Sequence, residues 1–455
     1  MQSLKRCCGQ GKRSHKKVTQ AAIVAVVVSL GVLLLNLKAS ADTLSGFLSH
    51  SKINGYIRSY YFSRDYSSSN TNQSAFALGG MLNLETAPFL GGFGAGITFW
   101  SANSLGANDL NPGPNNNFPN LDATLMGTEH SINTLGQAYL QFKNRRLLIR
   151  GGDQMLNTPW MSGSDSRLIP ATYQAVYVEG APTQNLKLIG FREFRWKSRT
   201  SSDFFKDNLF YQPTYNGDDM WGGAATLPAS TPPANGTLAF GASYQNGGAS
   251  AETWYYKFYN FADMIYWSGD YSFKKSKNGD APFIGAQYVR EWSNNNSYFP
   301  QAISSTGYGV LVGLNFPKGN LTWSYNGITT AHGSTFHAGG IFSPYTAGYA
   351  TDPMYTTSMT AGLVEKGAGN AWKLALTYFA FQKKWRFITS YAQYNTEPFF
   401  RNTTETDMDI TYFPKGRLDG LSIRDRIGIQ TDNPTLGTFL YNRVMLEYDF
   451  SLSKK

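Results

Sequence analysis

Residues 308–326 read YGVLVGLNFPKGNLTWSYN and contain two alternating runs joined by a short turn. From Tyr308 to Phe316 every second residue is apolar or aromatic, and the positions between them hold mainly glycine and asparagine. From Leu321 to Asn326, leucine, tryptophan and tyrosine alternate with threonine, serine and asparagine. A period of two places such side chains on opposite faces of a β-strand. The stretch therefore predicts an antiparallel β-hairpin with one apolar face, turning at residues 317–320.

Other parts of the chain repeat this arrangement of paired runs. The short turns alternate with long connections that are rich in Asn, Gly, Ser and Pro. Short turns at one end and long loops at the other are typical of an outer-membrane β-barrel. Two more predicted hairpins are 135–142 with 147–151, and 174–180 with 186–194. The predicted long connections are 101–133, 153–173, 196–235, 293–305 and 330–356.

Strand-like runs begin at Ile53 and end at Phe450, with lengths near the ~9 to 11 residues of a tilted membrane strand. We count about nineteen such runs, but a single-chain bacterial barrel has an even number of strands. The run Thr357 to Glu365 fits best as part of a loop. We therefore predict an all-β fold, a transmembrane antiparallel β-barrel of about 18 strands. A soluble sheet would explain the alternation, but it would leave this many alternating strands hard to bury.

The N-terminus predicts an export signal. Residues 1–41 carry seven Lys and Arg and no acidic residue, with a nearly unbroken apolar run over 21–35. Ala39-Ser-Ala41 then offers the small residues that a signal peptidase requires. We interpret residues 1–41 as a cleaved signal peptide and residues 42–455 as one barrel domain. An uncleaved anchor is the alternative, although about 15 apolar residues are fewer than a membrane-spanning helix needs.

Composition limits the possible functions. Without residues 1–41 the chain has 33 basic and 30 acidic residues, so its basicity is largely that of the leader and nucleic acid is not an expected partner. Cys7 and Cys8 both lie in the leader, which leaves no thiol for a disulfide or a metal site. The chain is 15% aromatic, yet its mean hydropathy is −0.33. A lipid-facing band around a polar interior would give that mixture.

Several segments resemble the OprD-like family of substrate-specific outer-membrane porins. The most specific is Ser166-Arg-Leu-Ile-Pro170, inside a longer similar stretch over 151–173. The resemblance continues at Asn54-Gly-Tyr-Ile-Arg58, Asp352-Pro-Met-Tyr-Thr-Thr-Ser-Met359 and Gly420-Leu-Ser-Ile-Arg-Asp-Arg426. It departs at the C-terminus, where five residues follow Phe450 although such barrels usually end on an aromatic residue.

The resemblance implies a monomeric channel in the outer-membrane lipid, with loops folded inward and basic residues along the lumen. Its solutes would be small anions or zwitterions that carry a carboxylate, such as amino acids and organic acids. It implies passive diffusion, with no catalytic residue, no cofactor and no metal. The residues alone, without the resemblance, indicate only a general porin or barrel.

Alternation also predicts which arginines face the solute. In residues 421–429, the leucine and isoleucines would contact lipid, which turns two arginines inward and leaves Asp425 as a charged misfit on the lipid side. The lumenal set predicted in this way is Arg58, Arg150, Arg424, Arg426 and Arg443. Inward arginines would attract anions and grip carboxylates with paired hydrogen bonds. Alternatively, they pair with lumenal acids such as Asp407, Asp409 and Glu447 and only fill the barrel.

Asp165 and Arg167 lie in the predicted inward loop and are candidates for the constriction. The Arg167 guanidinium could border the channel, with Asp165 as its counter-charge, or it could pin the loop to the wall.

Two rival functions use the same fold. A barrel hydrolase would need a catalytic cluster, but the histidines after the leader are only His50, His130, His332 and His337, without a nearby nucleophile elbow. A structural or adhesive barrel with a closed lumen would show the same alternation, and only conductance separates it from a porin.

Overall fold

The computed structural model describes residues 51–89, 91–113, 118–163, 166–211, 227–330, 335–345 and 352–452. The chain divides into two compact units, Met1–His50 and Ser51–Lys455, and all described residues belong to the second. The predicted leader lies outside the described residues, and so do Asp165 and His332.

The described residues of the second unit form β-strands and two short 3-10 turns, Phe336–Gly339 and Gly416–Leu418. Within the described ranges, no helix is long and apolar enough to cross a bilayer. Eighteen strands form one sheet, and the two-residue strands β6 and β7 form a separate hairpin inside a loop. The strands are β1 (Lys52–Tyr66), β2 (Gln73–Glu85), β3 (Phe93–Asn103), β4 (Ser131–Lys143), β5 (Leu147–Gln154), β6 (Asn157–Thr158), β7 (Met161–Ser162), β8 (Thr172–Gly180), β9 (Leu186–Lys197), β10 (Thr237–Asn246), β11 (Ala249–Phe258), β12 (Ala262–Ser272), β13 (Ala281–Ser293), β14 (Ser304–Phe316), β15 (Gly319–Thr330), β16 (Gly369–Ala380), β17 (Trp385–Thr396), β18 (Phe400–Tyr412), β19 (Leu421–Asn433) and β20 (Gly437–Ser451).

The sheet closes on itself. Each long strand pairs antiparallel with the next along the chain, and β20 pairs with β1, so that Arg58 lies opposite Gly79 on one side and Glu447 on the other. Closure leaves no unpaired edge, as a membrane barrel requires. The structure confirms the predicted eighteen-stranded antiparallel barrel. Because the strand number is even, the first and last strands begin and end at the same end of the barrel.

The outer face of the barrel is apolar. In β14, Tyr308, Val310 and Val312 are 43 to 46% exposed, whereas Ser305 and Gly309 face inward and are buried. The same alternation continues around the sheet, because successive side chains of a strand point to opposite faces. Exposed apolar surface costs about 25 cal/mol per Å² in water, so this outer face suits hydrocarbon.

The two ends of the barrel differ. At the end that holds the termini of the sheet, the connections are turns of two to eight residues. At the other end, four connections are long: 104–130, 155–171, 198–236 and 331–368. Thr357 to Glu365 lies in the last of these, which confirms its interpretation as loop. That loop extends to residue 368, beyond the predicted end at 356, because the next strand begins only at Gly369.

The core of the protein lies where the long loops pack inside the barrel. Trp160 and Phe342 are fully buried. Trp160 packs edge-on against Tyr266 of the inner face of β12, with ring centroids 6.1 Å apart. Phe342 stacks on Phe210 at 4.9 Å and on Phe261 at 5.1 Å, which joins three connections in one aromatic cluster. The loops therefore fold inward and narrow the lumen.

Candidate functional site

The lumen carries a row of arginines on four of five neighbouring strands of the closed sheet. Arg386 lies on β17, Arg424 and Arg426 on β19, Arg443 on β20 and Arg58 on β1. Successive side chains of a strand point to opposite faces, and the residues before and after each of these arginines point outward. Each arginine side chain therefore points into the lumen. The opposing carboxylate comes from β18, between β17 and β19.

Asp409 of β18 is the centre of the most open part of this row. Arg424 Nε donates to its two carboxylate oxygens at 2.9 and 3.1 Å, and Arg424 Nη2 donates as well. Arg426 Nε lies 3.3 Å from Asp409 Oδ2, and Arg386 Nη2 lies 4.0 Å from Oδ1. Three guanidinium groups thus share one carboxylate. The Arg386 and Arg424 side chains remain 27% and 26% exposed, against 10% for Asp409, so the surplus positive charge faces the lumen.

Arg58 is held more tightly. Its Nε forms an ion pair with Glu447 of β20, and its Nη1 donates to the carbonyl of Arg167 at 2.6 Å. The side chain is only 5% exposed. Arg58 therefore ties the loop 155–171 to the barrel wall.

Arg443 is completely buried between aromatic rings. Its guanidinium carbon lies 4.2 Å from the ring centroid of Tyr441 and 5.0 Å from that of Phe62. No residue that the structure describes accepts a hydrogen bond from its three guanidinium nitrogens. Stacking on aromatic faces stabilises the cation in place of an anion.

Arg150 of β5 lies apart from this row. Its Nη2 donates to the side-chain carbonyl of Gln141 at 3.0 Å, and its guanidinium carbon lies 4.2 Å from the Tyr139 ring centroid. The side chain is half-buried.

Arg167 lies within the inward loop, fully buried. Its Nε donates to the carbonyl of Thr124 at 2.6 Å, which connects the loop 155–171 with the loop 104–130. The loop 104–130 is in turn held on the barrel wall by the ion pair between its Asp122 and Arg64 of β1, at 2.5 Å. Burial alone would raise the pKa of Asp122, but the charge of Arg64 and a hydrogen bond from Thr124 hold it below its usual range. Arg167 therefore contacts a neighbouring loop, and its role at the constriction stays a prediction.

An acidic wall lies across the lumen. Glu252 of β11 accepts hydrogen bonds from Ser268 at 3.2 Å and Trp254 at 2.8 Å. Glu252 together with Ser268 and Asp270 of β12 lines a cavity of about 290 Å³, which Lys187 of β9 also lines while it forms an ion pair with Glu179 at 3.2 Å. In the closed sheet, β11 and β12 are eight and seven strands away from β19, so this wall and the arginine row lie on roughly opposite sides of the barrel.

Sequence reasoning missed several of these residues. Arg386 could have been found, since Trp385 and Phe387 on either side mark the outer face. Asp122 and Arg64 could not, because their contact joins a loop to a strand 58 residues away. Glu252 and Asp270 alternate correctly, but their position opposite the arginines depends on the strand order of the closed barrel.

Of the histidines considered for catalysis, the structure describes His130 and His337. His337 stacks on Phe336 at 4.0 Å, and His130 precedes β4 on the surface. In the described ranges, no three His, Cys, Asp or Glu side chains come together as a metal site.

A closed eighteen-stranded barrel with an apolar outer face, inward loops and a charged lumen defines an outer-membrane channel of the porin class. The sequence model described as "outer membrane porin, OprD family" matches residues 45–278. The chain belongs to the OprD family of outer-membrane porins. It is therefore a channel for small solutes in the outer membrane and, like other porins of this family, not an enzyme.

Solved structures share the fold. Pseudomonas aeruginosa OccK9 (OpdG) superposes with a TM-score of 0.72 at 16% identity, covering 89% of this chain and 100% of that one. Acinetobacter baumannii OccAB3 gives a TM-score of 0.70 at 16% identity, covering 88% and 99%. Pseudomonas aeruginosa OccK2 (OpdF), solved in complex with glucuronate, gives 0.69 at 12% identity, covering 89% and 99%. No curated protein matches this chain.

Proposed function

We propose that the channel conducts small solutes bearing a carboxylate, and that arginines around Asp409 guide them. The observation that carries the proposal is the sharing of one carboxylate among Arg386, Arg424 and Arg426, whose side chains remain partly exposed to the lumen. A passing carboxylate can exchange with Asp409 for the same donors. Guanidinium groups bind carboxylates with two parallel hydrogen bonds, and the confined lumen concentrates anions. Because Asp409 competes, binding stays weak enough for release.

The predicted arginines take different roles in this proposal. Arg424 and Arg426 are the guiding pair, with Arg386 beside them, and Arg150 is a separate contact further around the barrel. Arg443 adds positive potential from its buried position. Arg58 holds the inward loop, since Glu447 and the loop carbonyl occupy its donors.

The facing acidic wall favours solutes that also carry a positive group. Glu252 and Asp270 would attract the ammonium of an amino acid while the arginines attract its carboxylate. A fold neighbour was solved with glucuronate, which is also a carboxylate. The proposed solute class therefore comprises organic acids and, above all, zwitterionic amino acids.

We further propose how the chain is exported. Residues 1–41 act as a cleaved signal peptide that directs the chain through the inner membrane, and residues 42–455 form the mature porin. The mature chain works as a monomer, as the family resemblance implies.

Single-channel conductance of the refolded mature chain in a planar bilayer tests the proposal. The double variant Arg424→Ala/Arg426→Ala should keep open channels but lower anion preference, and should weaken block by small carboxylates severalfold. The matched control is Arg401→Ala/Arg417→Ala, which removes the same charge from exposed positions outside the lumen. Equal anion preference and block in both double variants would contradict arginine guidance. A silent wild-type barrel would instead favour a closed adhesive or structural role.

A further inference from the structure

A segment of the loop 331–368, residues 352–361, lies against the inner wall and is held by side chains from several strands. Gln287 of β13 donates to the carbonyl of Pro353 at 2.9 Å and accepts from the amide of Tyr355 at 3.0 Å. Asn326 of β15 accepts from the amide of Thr356 at 3.0 Å. We call residues 352–361 the lumenal segment.

The uncharged side chains that contact the lumenal segment are closely packed against one another. Asn326 also donates to Gln287 at 2.8 Å, directly over Gly309. A Cβ at Gly309 would lie 2.1 Å from Asn326 Nδ2, so glycine is required there. The Tyr394 hydroxyl of β17 bonds the carbonyl of Thr356 at 2.6 Å. None of these groups changes charge near neutral pH, although the Tyr394 phenol can ionise in strong alkali.

The remaining anchors are carboxyl groups. Glu405 of β18 accepts from the amide and the hydroxyl of Thr360, each at 2.7 Å. Asp407 accepts from the amide of Met359 at 3.2 Å. Asp352 differs, because it belongs to the segment: it accepts from two residues of the same segment, the amide of Met354 at 2.9 Å and the hydroxyl of Thr357 at 2.6 Å, and it acts on the wall through the charge of Lys373.

Lys373 of β16 is the cation that faces this group of carboxyls. Its ammonium donates to the carbonyl of Thr357, and Asp352, Glu405 and Asp407 all act on it electrostatically. One ammonium therefore faces three carboxyl groups, of which Glu405 is fully buried and the other two are half-buried. Two carboxyl oxygens, Asp352 Oδ2 and Asp407 Oδ1, are buried without a hydrogen-bond partner among the described residues.

The other charged groups near the segment do not supply further cations. Tyr355 faces Asp270 and Glu252 from β12 and β11, which adds negative charge. On β17 the titratable neighbour is Tyr394, and on β19 the contact is the neutral Gln430, which donates to Glu405 at 3.4 Å. When all three carboxyl groups are ionised, their mutual repulsion therefore destabilises the docked segment. Moving the segment into water relieves that repulsion.

We propose that the lumenal segment is a proton-dependent gate, which docks on β13–β18 at acidic pH and leaves the wall as the pH rises. Release opens the part of the lumen that the segment occupies. The proposal rests on the channel function of the barrel but not on the solute class.

The titration of Asp352 supports this direction. Burial raises the pKa of Asp352 to about 6, despite opposing hydrogen bonds and the charge of Lys373. A hydrated aspartate titrates near ~4. Because the pKa of Asp352 is higher in the docked state than in water, the contribution of Asp352 to docking is complete below about pH 4. That contribution is lost as the pH rises through about 6. By linkage, Asp352 alone changes the docking equilibrium on the order of 100-fold between pH 4 and pH 8.

Conductance against pH tests the gate. Wild-type conductance should rise between pH 4 and pH 8. Asp352→Asn and Glu405→Gln, which keep the side-chain shape without a charge, should keep conductance low across this range. Lys373→Met, which removes the ammonium, should move the rise to lower pH. The matched control is Glu397→Gln, an exposed carboxyl in a neighbouring connection, which should follow the wild type.

A second readout does not depend on current. After the leader the chain has no cysteine, so Met359→Cys can carry a single nitroxide label on the segment. Its spectrum should show a label that is immobile at pH 4 and more mobile at pH 8, with no such change when Asp352→Asn is added. A label that is equally immobile at both pH values would overturn the proposal, even in a barrel that conducts nothing. A pH-dependent current with identical profiles in all variants would overturn it as well.

Discussion

Some of the paired charges in this lumen hold loops, and Asp122 is an example. Its ion pair with Arg64 is almost completely excluded from water, with side chains 0% and 3% exposed. The pKa of Asp122 lies below its usual range, so its ionised form is stabilised by folding. The stabilisation is complete above the ordinary aspartate value of about 4 and is lost as the pH falls through the lower folded value.

We expect Asp122→Ala to loosen the loop 104–130. Removing one partner of a buried ion pair costs roughly 3 to 5 kcal/mol, because the remaining charge loses its counter-charge in a dry site. Limited proteolysis should then cleave within 104–130 and the thermal unfolding temperature should fall. Glu129→Ala is the control, since Glu129 is in the same loop but exposed to solvent. A cleavage pattern identical to that of the Glu129 variant would show that the pair does not hold the loop.

At the scale of the strand, alternation predicts the face of a side chain but not its partner. It placed Arg424 and Arg426 on the inner face of β19, where the structure has them. It could not predict which of Asp407 and Asp409 pairs with the arginines, because the two lie two residues apart on the same face of β18. The register of the strands and the position of the loop decide which partner each aspartate has. Asp409 meets the arginines, whereas Asp407 accepts from the amide of Met359 in the lumenal segment.

Strand β19 also carries a charge on its outer face. Asp425 lies between Ile423 and Ile427 on the lipid side. Its strand pairs regularly with β20 from Leu421 to Gln430, so no β-bulge changes the direction of its side chain. Asn442 of β20 donates to its carboxylate at 2.6 Å. This single hydrogen bond is the compensation that the described structure provides.

We expect Asp425→Leu/Asn442→Leu to stabilise the barrel. A basic residue at the midplane costs roughly 2 to 4 kcal/mol and an acidic one less, so the gain should be about 1 to 2 kcal/mol in the free energy of unfolding. Urea unfolding in lipid vesicles measures it. Thr404→Val/Thr431→Val is the control, because it removes another outward polar pair, with hydroxyls 2.6 Å apart near the strand ends. A less stable leucine variant would mean that Asp425 has a partner outside this chain.

At the scale of the whole molecule, the barrel was predictable and the arrangement of the lumen was not. Turn and strand signals recur locally along the chain, so about nineteen strand-like runs could be counted, and the even strand number of such barrels reduced the prediction to eighteen. Loop contacts join residues far apart, such as Arg58 and the carbonyl of Arg167, 109 positions away. Their partners depend on the closed strand order, and so does the position of the acidic wall opposite the arginines.

The opposed walls predict a preference between solutes of nearly equal size. Alanine and lactate share a carboxylate and a methyl group, but only alanine carries an ammonium, which Glu252 and Asp270 would attract. Glu252→Gln/Asp270→Asn should therefore lower the ratio of labelled alanine to lactate uptake into proteoliposomes. Arg424→Ala/Arg426→Ala should lower the uptake of both, since both solutes need the arginines. The control Glu397→Gln/Asp419→Asn removes two exposed carboxylates outside the lumen and should leave the ratio unchanged. If neutralising the acidic wall left the ratio at its wild-type value, the field between the two walls would play no part in selection, and the arginines alone would set the solute class.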